Sequence, residues 1–192
     1  LSDLDPPRLI GAHQFLNAGL AVAAIKAAAL PLADDVISAG LTVARWPARL
    51  QRLKTGPFVD FARSAADCEI WLDGGHNPHA ARALAQAMAD LEEKSPKQIV
   101  LISGMQENKD SDGFFAAFAG LASSVLAVQA NHTGARTAES VAEAAERAGL
   151  PAHPCASVQE AMTLALGTGS KPLRILICGS LYLAGEILKD HA

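Results

Sequence analysis

Apolar and polar positions change rhythm along this chain near Trp46. Before it, Phe15, Leu16, Leu20, Ile25 and Ala28 recur at helical spacing and predict a helix from about His13 to Leu30, stopped by Pro31. A second short helix is predicted from Asp35 to Val43, with Asp34 as its cap. Trp46-Pro47 breaks that pattern, because proline biases its predecessor towards extended geometry. We place a domain boundary there, with residues 1–45 as one segment and 46–192 as the other.

After the break, short apolar runs alternate with helical patterns. The runs Leu50–Leu53, Phe58–Phe61 and Glu69–Leu72 are predicted as strands, followed by a helix over Pro78–Glu93 with Leu84, Met88 and Leu91 on one face. Next come a strand at Gln98–Ser103, a helix at about Asp112–Leu121, a strand at Val125–Gln129 and a helix at Ala138–Ala148. A short strand near Ala152–Cys155 leads to a helix that Ser157 and Glu160 cap as a Ser-x-x-Glu box. Leu173–Cys178, apolar except for Arg174, is predicted as a strand, and Ser180 opens a last helix to about Lys189. Apolar strands alternating with amphipathic helices predict an α/β fold: a mostly parallel, Rossmann-like sheet with helices on both faces. The first strands of the segment are expected to form an antiparallel edge or hairpin.

Composition narrows the function classes. In 192 residues half are hydrophobic, but aromatics make up only 5%, which favours small-residue helix packing over an aromatic binding surface. The net charge of −4 and the lack of any basic run longer than two residues leave no nucleic-acid footprint. No segment approaches the roughly 18 apolar residues of a membrane span, and the start Leu-Ser-Asp-Leu-Asp carries no signal-peptide pattern. Cys68, Cys155 and Cys178 are scattered and odd in number, which indicates neither a disulfide framework nor a zinc site; Cys178, ending an apolar strand, is expected in the core. A reducing, cytoplasmic setting is expected. The chain opens without a methionine, as though cut from something longer.

The stretch Trp71-Leu72-Asp73-Gly74-Gly75-His76-Asn77-Pro78 concentrates the candidate chemistry. It leaves a strand, carries a carboxylate and an imidazole three residues apart, and enters a helix with Asn77 as N-cap and Pro78 at the first position. Ligands of parallel α/β sheets bind at such junctions, and helix N-termini favour anions. Two readings stand side by side: a functional pair, or Asp73 capping a turn with His76 bonded to backbone. Arg49 is either a solvated cation or a ligand group; Asn17, an amide in an apolar helix, either reaches solvent or binds something. Ser103-Gly104-Met105 and Cys178-Gly179-Ser180 end apolar strands and are expected as further walls of one crevice. Lys109-Asp110 reads most simply as a solvated loop. No Gly-x-x-x-x-Gly-Lys-Ser/Thr occurs; Gly167-Thr168-Gly169-Ser170-Lys171 has the wrong spacing and precedes a strand.

Five segments in order resemble the folylpolyglutamate synthase and dihydrofolate synthase family of the Mur-ligase superfamily. DGGHNPHAA (Asp73–Ala81) is similar to its DGAHNP signature, HQFLNAGLA (His13–Ala21) to its HQ..NA..A helix, and WPARL (Trp46–Leu50) to its WPGRL. SGMQENKD (Ser103–Asp110) resembles its G...DKD loop and CGSLYLAGEI (Cys178–Ile187) its GSLYL-type ending. Gly75, Ala48 and Asn108 depart from the pattern, standing where the family has alanine, glycine and commonly aspartate. The family's amino-terminal half, which supplies the phosphate loop, Mg²⁺ ligands and most of the pterin site, has no counterpart here. The resemblance therefore implies that residues 1–45 are the helical end of the central ATP-binding domain, and 46–192 a Mur-ligase-like carboxyl-terminal domain.

It also implies an ATP-dependent ligation of L-glutamate to dihydropteroate or a folate through an acyl phosphate, by a monomer, with Mg²⁺ held outside this chain. By resemblance, Asn17 contacts adenine, Arg49 reaches the nucleotide phosphates, and Asp73 bonds the ribose hydroxyls. His76 faces the reaction centre as the catalytic residue, orienting glutamate or taking a proton from its amine. The competing readings are a Mur ligase acting on a cell-wall UDP-sugar precursor and a non-catalytic nucleotide-binding module.

Overall fold

The computed structural model describes residues 3–63, 67–167 and 172–191, so Thr168–Lys171 of the glycine-containing stretch lie outside the described residues. The chain divides into two compact units, Leu1–Pro47 and Ala48–Ala192.

The first unit holds helices α1 (His13–Ala27) and α2 (Asp34–Val43). The face of α1 that is buried is Gln14, Ala18 and Val22, spaced four apart. The larger residues that defined its periodicity lie outward: Leu16 is 77% and Leu20 73% exposed. Helix α1 ends earlier than expected because Ala29 turns to φ +51° before Pro31. Asp34 does not cap α2. It is the first helical residue, Ala33 occupies the cap position without a side-chain bond, and the Asp34 carboxylate pairs with Lys26 at 3.3 Å.

The second unit contains β1 (Gln51–Leu53), α3 (Pro57–Ala62), β2 (Cys68–Leu72), α4 (Pro78–Lys94), β3 (Gln98–Ser103) and α5 (Ser111–Ala116). It continues with β4 (Ser124–Ala127), α6 (Ala138–Arg147), β5 (Ala152–Pro154), α7 (Val158–Gly167), β6 (Leu173–Cys178) and α8 (Leu181–His191). Its strands form one sheet in the order β1-β2-β6-β3-β4-β5, parallel throughout except for β1, which pairs antiparallel with β2 at the edge. This is the mostly parallel α/β architecture that the alternation predicts. Burial on both faces explains why β6 is apolar at every position except Arg174. Trp71, Leu101, Leu176 and Cys178 point to the side covered by α4, α5 and α6. Ile70, Leu72, Ile102, Ile175 and Ile177 point to the side covered by α3, α7 and α8.

The expected strand Phe58–Phe61 is helix α3, so no hairpin forms. Three apolar residues around Asp60 fit either period, and Pro57 at the first helical position decides for the helix. Its second residue, Phe58, donates its backbone N–H to His191 Nε2 at 3.1 Å and stacks on that ring. The helix expected to run to Leu121 ends at Ala116, and Asp110 caps it by accepting from Gly113 N at 2.9 Å. The Ser157 box forms, with Glu160 N–H donating to Ser157 Oγ at 3.1 Å and Glu160 reaching back to Ala156 N–H at 2.6 Å.

At the amino-terminal end of the parallel strands, Arg174 is 1% exposed. Its guanidinium donates to Glu69 Oε2 and Glu92 Oε2, each at 3.2 Å, and to Ser95 O at 3.0 Å. A buried arginine needs this full set of acceptors. The staple lies at the end of the sheet opposite the loops considered next.

Candidate functional site

Helix α4 follows β2 onto one face of the sheet, whereas α8 follows the adjacent β6 onto the other. Adjacent strands whose chains diverge in this way leave a crevice beyond their carboxyl ends, the place where open α/β sheets bind ligands. A cleft of about 200 Å³ lies there, lined by His76, Gln106, Lys109, Gly179, Ser180, Leu181 and Tyr182. Three loops supply these groups, after β2, β3 and β6.

The loop after β2 is built around Asp73. Only 3% exposed, its carboxylate accepts from Gly75 N at 2.6 Å through Oδ1 and from Leu50 N at 2.6 Å through Oδ2. Gly74 N–H donates to Ala48 O at 2.9 Å, so the loop before β1 and the loop after β2 are bound together. Asn77 accepts from Ala80 N at 2.9 Å and caps α4, with Pro78 at its first position. His76 Nδ1 lies 2.9 Å from Gly74 O. A carbonyl only accepts, so Nδ1 carries the proton and the neutral ring keeps its Nε2 lone pair as an acceptor. The turn-capping and backbone-bonded readings of Asp73 and His76 thus both hold in the geometry, and His76 also lines the cleft.

The loop after β6 depends on Gly179. It sits at φ +98°, and a Cβ there would lie 2.6 Å from Gly104 O and 2.5 Å from Ser103 Oγ. Ser180, 2% exposed, accepts from Tyr182 N at 3.1 Å and Leu183 N at 3.4 Å and starts α8. Gly179 and Ser180 are walls of the cleft as expected; from the loop after β3 it is Gln106 and Lys109, not Ser103-Gly104-Met105, that line it. Lys109 is the residue that sequence reasoning passed over as solvated loop. None of the described ion pairs involves it. Its place in the G...DKD-like loop was the available signal.

Arg49 is exposed and lies between Ala48 at φ +52° and Leu50 at φ +43°. Both neighbours are in the left-handed region that non-glycine residues rarely adopt. The alanine that replaces the glycine of WPGR is therefore a costlier change than its size suggests. The backbone on either side of Arg49 is bonded to the Asp73–Gly75 loop, but the side chain does not line the cleft. In the first unit, Asn17 is exposed and donates to Gln14 Oε1 at 3.1 Å, while Gln14 Nε2 meets His13 Nε2 at 2.8 Å. Gln14, only 2% exposed, is the polar residue that holds this group together.

The thiols are quiet. Burial, then Glu69, pushes Cys68 up to about 11, and burial, then Glu160, does the same for Cys155. Burial and the Asp73 charge raise Cys178 further, in the core as expected. Among the described residues there is no cluster of three or more metal-ligating side chains, and no helix is long and apolar enough to cross a membrane.

A parallel sheet with a ligand-sized cleft at its switch point defines a class, and the relatives specify it. Residues 59–181 match the family described as "Mur ligase, glutamate ligase domain", and the chain belongs to that family. Its relatives within the family are folylpolyglutamate and dihydrofolate synthases, ATP-dependent ligases. The folylpolyglutamate synthase of Lacticaseibacillus casei is 32% identical over 97% of this chain and 40% of the relative. The dihydrofolate synthase/folylpolyglutamate synthase of Mycobacterium tuberculosis is 34% identical over 75% of this chain and 28% of the relative. Among solved structures, M. tuberculosis folylpolyglutamate synthase complexed with ADP and AMPPCP superposes with a TM-score of 0.76 at 28% identity, covering 95% of this chain and 41% of that one. E. coli FolC in complex with DHPP and ADP also gives 0.76, at 25% identity, over 98% of this chain and 41% of that one. The chain thus spans well under half the length of each.

Proposed function

We propose that this chain is the carboxyl-terminal part of an ATP-dependent ligase that adds L-glutamate to dihydropteroate, to folates or to both. Residues 1–45 would be the end of its nucleotide-binding central domain and 46–192 its carboxyl-terminal domain. The observation that carries the reading is the cleft at the β2/β6 switch point, where an imidazole with a free acceptor nitrogen and an ammonium without a carboxylate partner face one small volume. The relatives' names and nucleotide complexes support it. The apolar residues exposed on α1 fit a fragment of a larger domain.

A carboxylate is a poor electrophile, and converting it to an acyl phosphate gives its oxygen a leaving group. What remains for protein residues is to bring the glutamate amine to that carbon and to neutralise charge. Lys109 offers a cation to a glutamate carboxylate. His76 Nε2, held by the Nδ1–H bond to Gly74 O, takes the amine proton as the amide bond forms and phosphate leaves. Arg49 reaches the nucleotide phosphates, for which a guanidinium is suited, and Asn17 reads the adenine edge. Asp73 holds the two loops together, and the ribose hydroxyls are the contact that the resemblance assigns to it. The described residues do not fit a Mg²⁺ site.

The test is incorporation of radiolabelled L-glutamate into dihydropteroate or a folate by the full-length ligase carrying this chain, with ATP. ATP-dependent incorporation is expected. Transfer of an amino acid to a UDP-sugar acid instead, or nucleotide binding without any ligation, would overturn the reading.

A further inference from the structure

Tyr182 lines the cleft together with His76, and a residue outside the cleft holds it. Tyr182 is the second residue of α8 and is 47% exposed, so its own helix leaves the ring room to swing into solvent. His132, in the loop after β4, lies on its face with ring centroids 3.5 Å apart and planes 25° apart. That is closer than the ~4.5–7 Å of ordinary aromatic pairs, so the two rings overlap fully.

The loop that brings His132 there, residues 129–137, is fixed from two sides. Asn131 N–H donates to Glu186 Oε1 of α8 at 2.6 Å. Towards the loop after β3, Glu107 N–H donates to Gly134 O at 3.0 Å, Arg136 N–H to Met105 O at 2.8 Å, and Arg136 Nη2 to Glu107 O at 3.1 Å. Gln106, which lines the cleft, is bridged to Ala135. The loops after β3, β4 and β6 therefore form one wall. Within it, His132 Nδ1 and Arg136 Nε are buried without a protein partner, an arrangement that costs stability. A phenylalanine would stack without that cost.

We propose that His132 is a positioning residue that pins Tyr182 as a wall of the cleft, and that this pinned wall sets the length of the amino acid accepted there. The inference rests on the reading of the cleft as the acceptor amino-acid site. Lys109 and Tyr182 both line this volume of about 200 Å³. On this proposal an α-amino dicarboxylic acid whose carboxylate meets Lys109 is measured against the fixed ring, which is where glutamate and aspartate, differing by one methylene, are told apart. A freed Tyr182 removes that distinction.

Tyr182 is the single tyrosine of the chain, which makes it its own probe. The 192-residue chain labelled with meta-fluorotyrosine should give one fluorine NMR resonance, shifting saturably with millimolar L-glutamate and less with L-aspartate. In His132→Ala the resonance should move towards that of free tyrosine, and glutamate should bind roughly three- to tenfold more weakly, with the glutamate-over-aspartate preference lost. His132→Phe keeps a stacking face and should restore both. If His132→Ala leaves the resonance in place while glutamate still shifts it, the pinning is wrong and the acceptor reading stands. If glutamate never shifts the wild-type resonance, the acceptor reading falls and takes the specificity role with it. Equal weakening in His132→Ala and His132→Phe also overturns the proposal, because the stack would then not be what matters.

Discussion

Asp73 Oδ2 accepts the backbone N–H of Leu50 at 2.6 Å across 23 positions of sequence, while its Oδ1 accepts that of Gly75 at the same distance. One buried carboxylate thereby sets the shape of both the loop that carries Arg49 and the loop that carries His76. Asp73→Ala strands two buried N–H groups, at about 1–3 kcal/mol each, so a loss of roughly 2–6 kcal/mol is expected in chemical denaturation. Asp73→Asn keeps one acceptor oxygen and should lose less. If both substitutions change stability by under about 0.5 kcal/mol, the clamp has no structural weight.

Gly179→Ala is expected to be at least as damaging. Backbone at φ +98° strains any other residue, and the new Cβ would sit 2.6 Å from Gly104 O, a backbone atom that cannot swing away. Strain and overpacking together should cost at least about 2 kcal/mol. By contrast, Gly134→Ala, at φ +84° with nothing near the added carbon, should cost only the backbone term. Thermal melts of the two variants separate crowding from strain.

Acid should weaken the staple at the far end of the sheet. Burial pushes Glu69 up, but hydrogen bonds from Trp71 and Arg174 and the charge of Arg52 outweigh it and hold the carboxyl below 4.5. A carboxylate lowered on folding adds stability above its unfolded pKa and loses it as pH falls through the folded value. Glu69→Gln should therefore be less stable than wild type at neutral pH, and the gap should close between about pH 5 and pH 3. Denaturation midpoints across that range measure it; a gap independent of pH would mean that packing, not charge, is lost.

The raised thiols give a chemical check on the same core. With Cys68 and Cys155 near 11 and Cys178 higher still, the thiolate fraction at pH 8 is roughly one in a thousand or less. Disulfide-exchange reagents should label the native chain slowly and all three cysteines at once in denaturant. A single fast-reacting thiol in the native protein would contradict the burial described here.

Local pattern carried much of this architecture. Strands β3 and β6 occupy the residues predicted for them from their largely apolar runs, and Asn77-Pro78 starts α4 as helix-capping chemistry requires. Where the run was short, as at Phe58–Phe61, apolar pattern could not separate helix from strand; Pro57 decides locally, and the bond that anchors the helix, to His191, is 133 positions away. The site shows the same division. The strand-end loops were visible as Gly and hydroxyl clusters, but the Leu50 partner of Asp73 and the His132 partner of Tyr182 exist only once the sheet brings distant loops together. Lys109 sits in a run of polar residues whose composition gives no hint of a cleft; only its place in the G...DKD-like loop did.

Arg49 offers the sharpest separation of function from structure. It is exposed, none of the described ion pairs involves it, and its folding contribution should be within about 0.5 kcal/mol. Yet it is held between two left-handed residues in a loop bonded to Asp73 and Gly74, a strain that surface display alone does not explain. If its guanidinium meets nucleotide phosphate, Arg49→Ala removes a charge-assisted hydrogen bond of about 1.5–3 kcal/mol. Acting in the transition state, that lowers ligation roughly ten- to more than a hundredfold. Arg49→Lys should recover only part, since a point charge does not reproduce a fork of donors. Glutamate-incorporation rates in the full-length ligase, beside thermal melts, decide the matter. An Arg49→Ala enzyme that turns over normally would make Arg49 a solvated cation, and the strained loop would then be explained by its bonds to Asp73 alone.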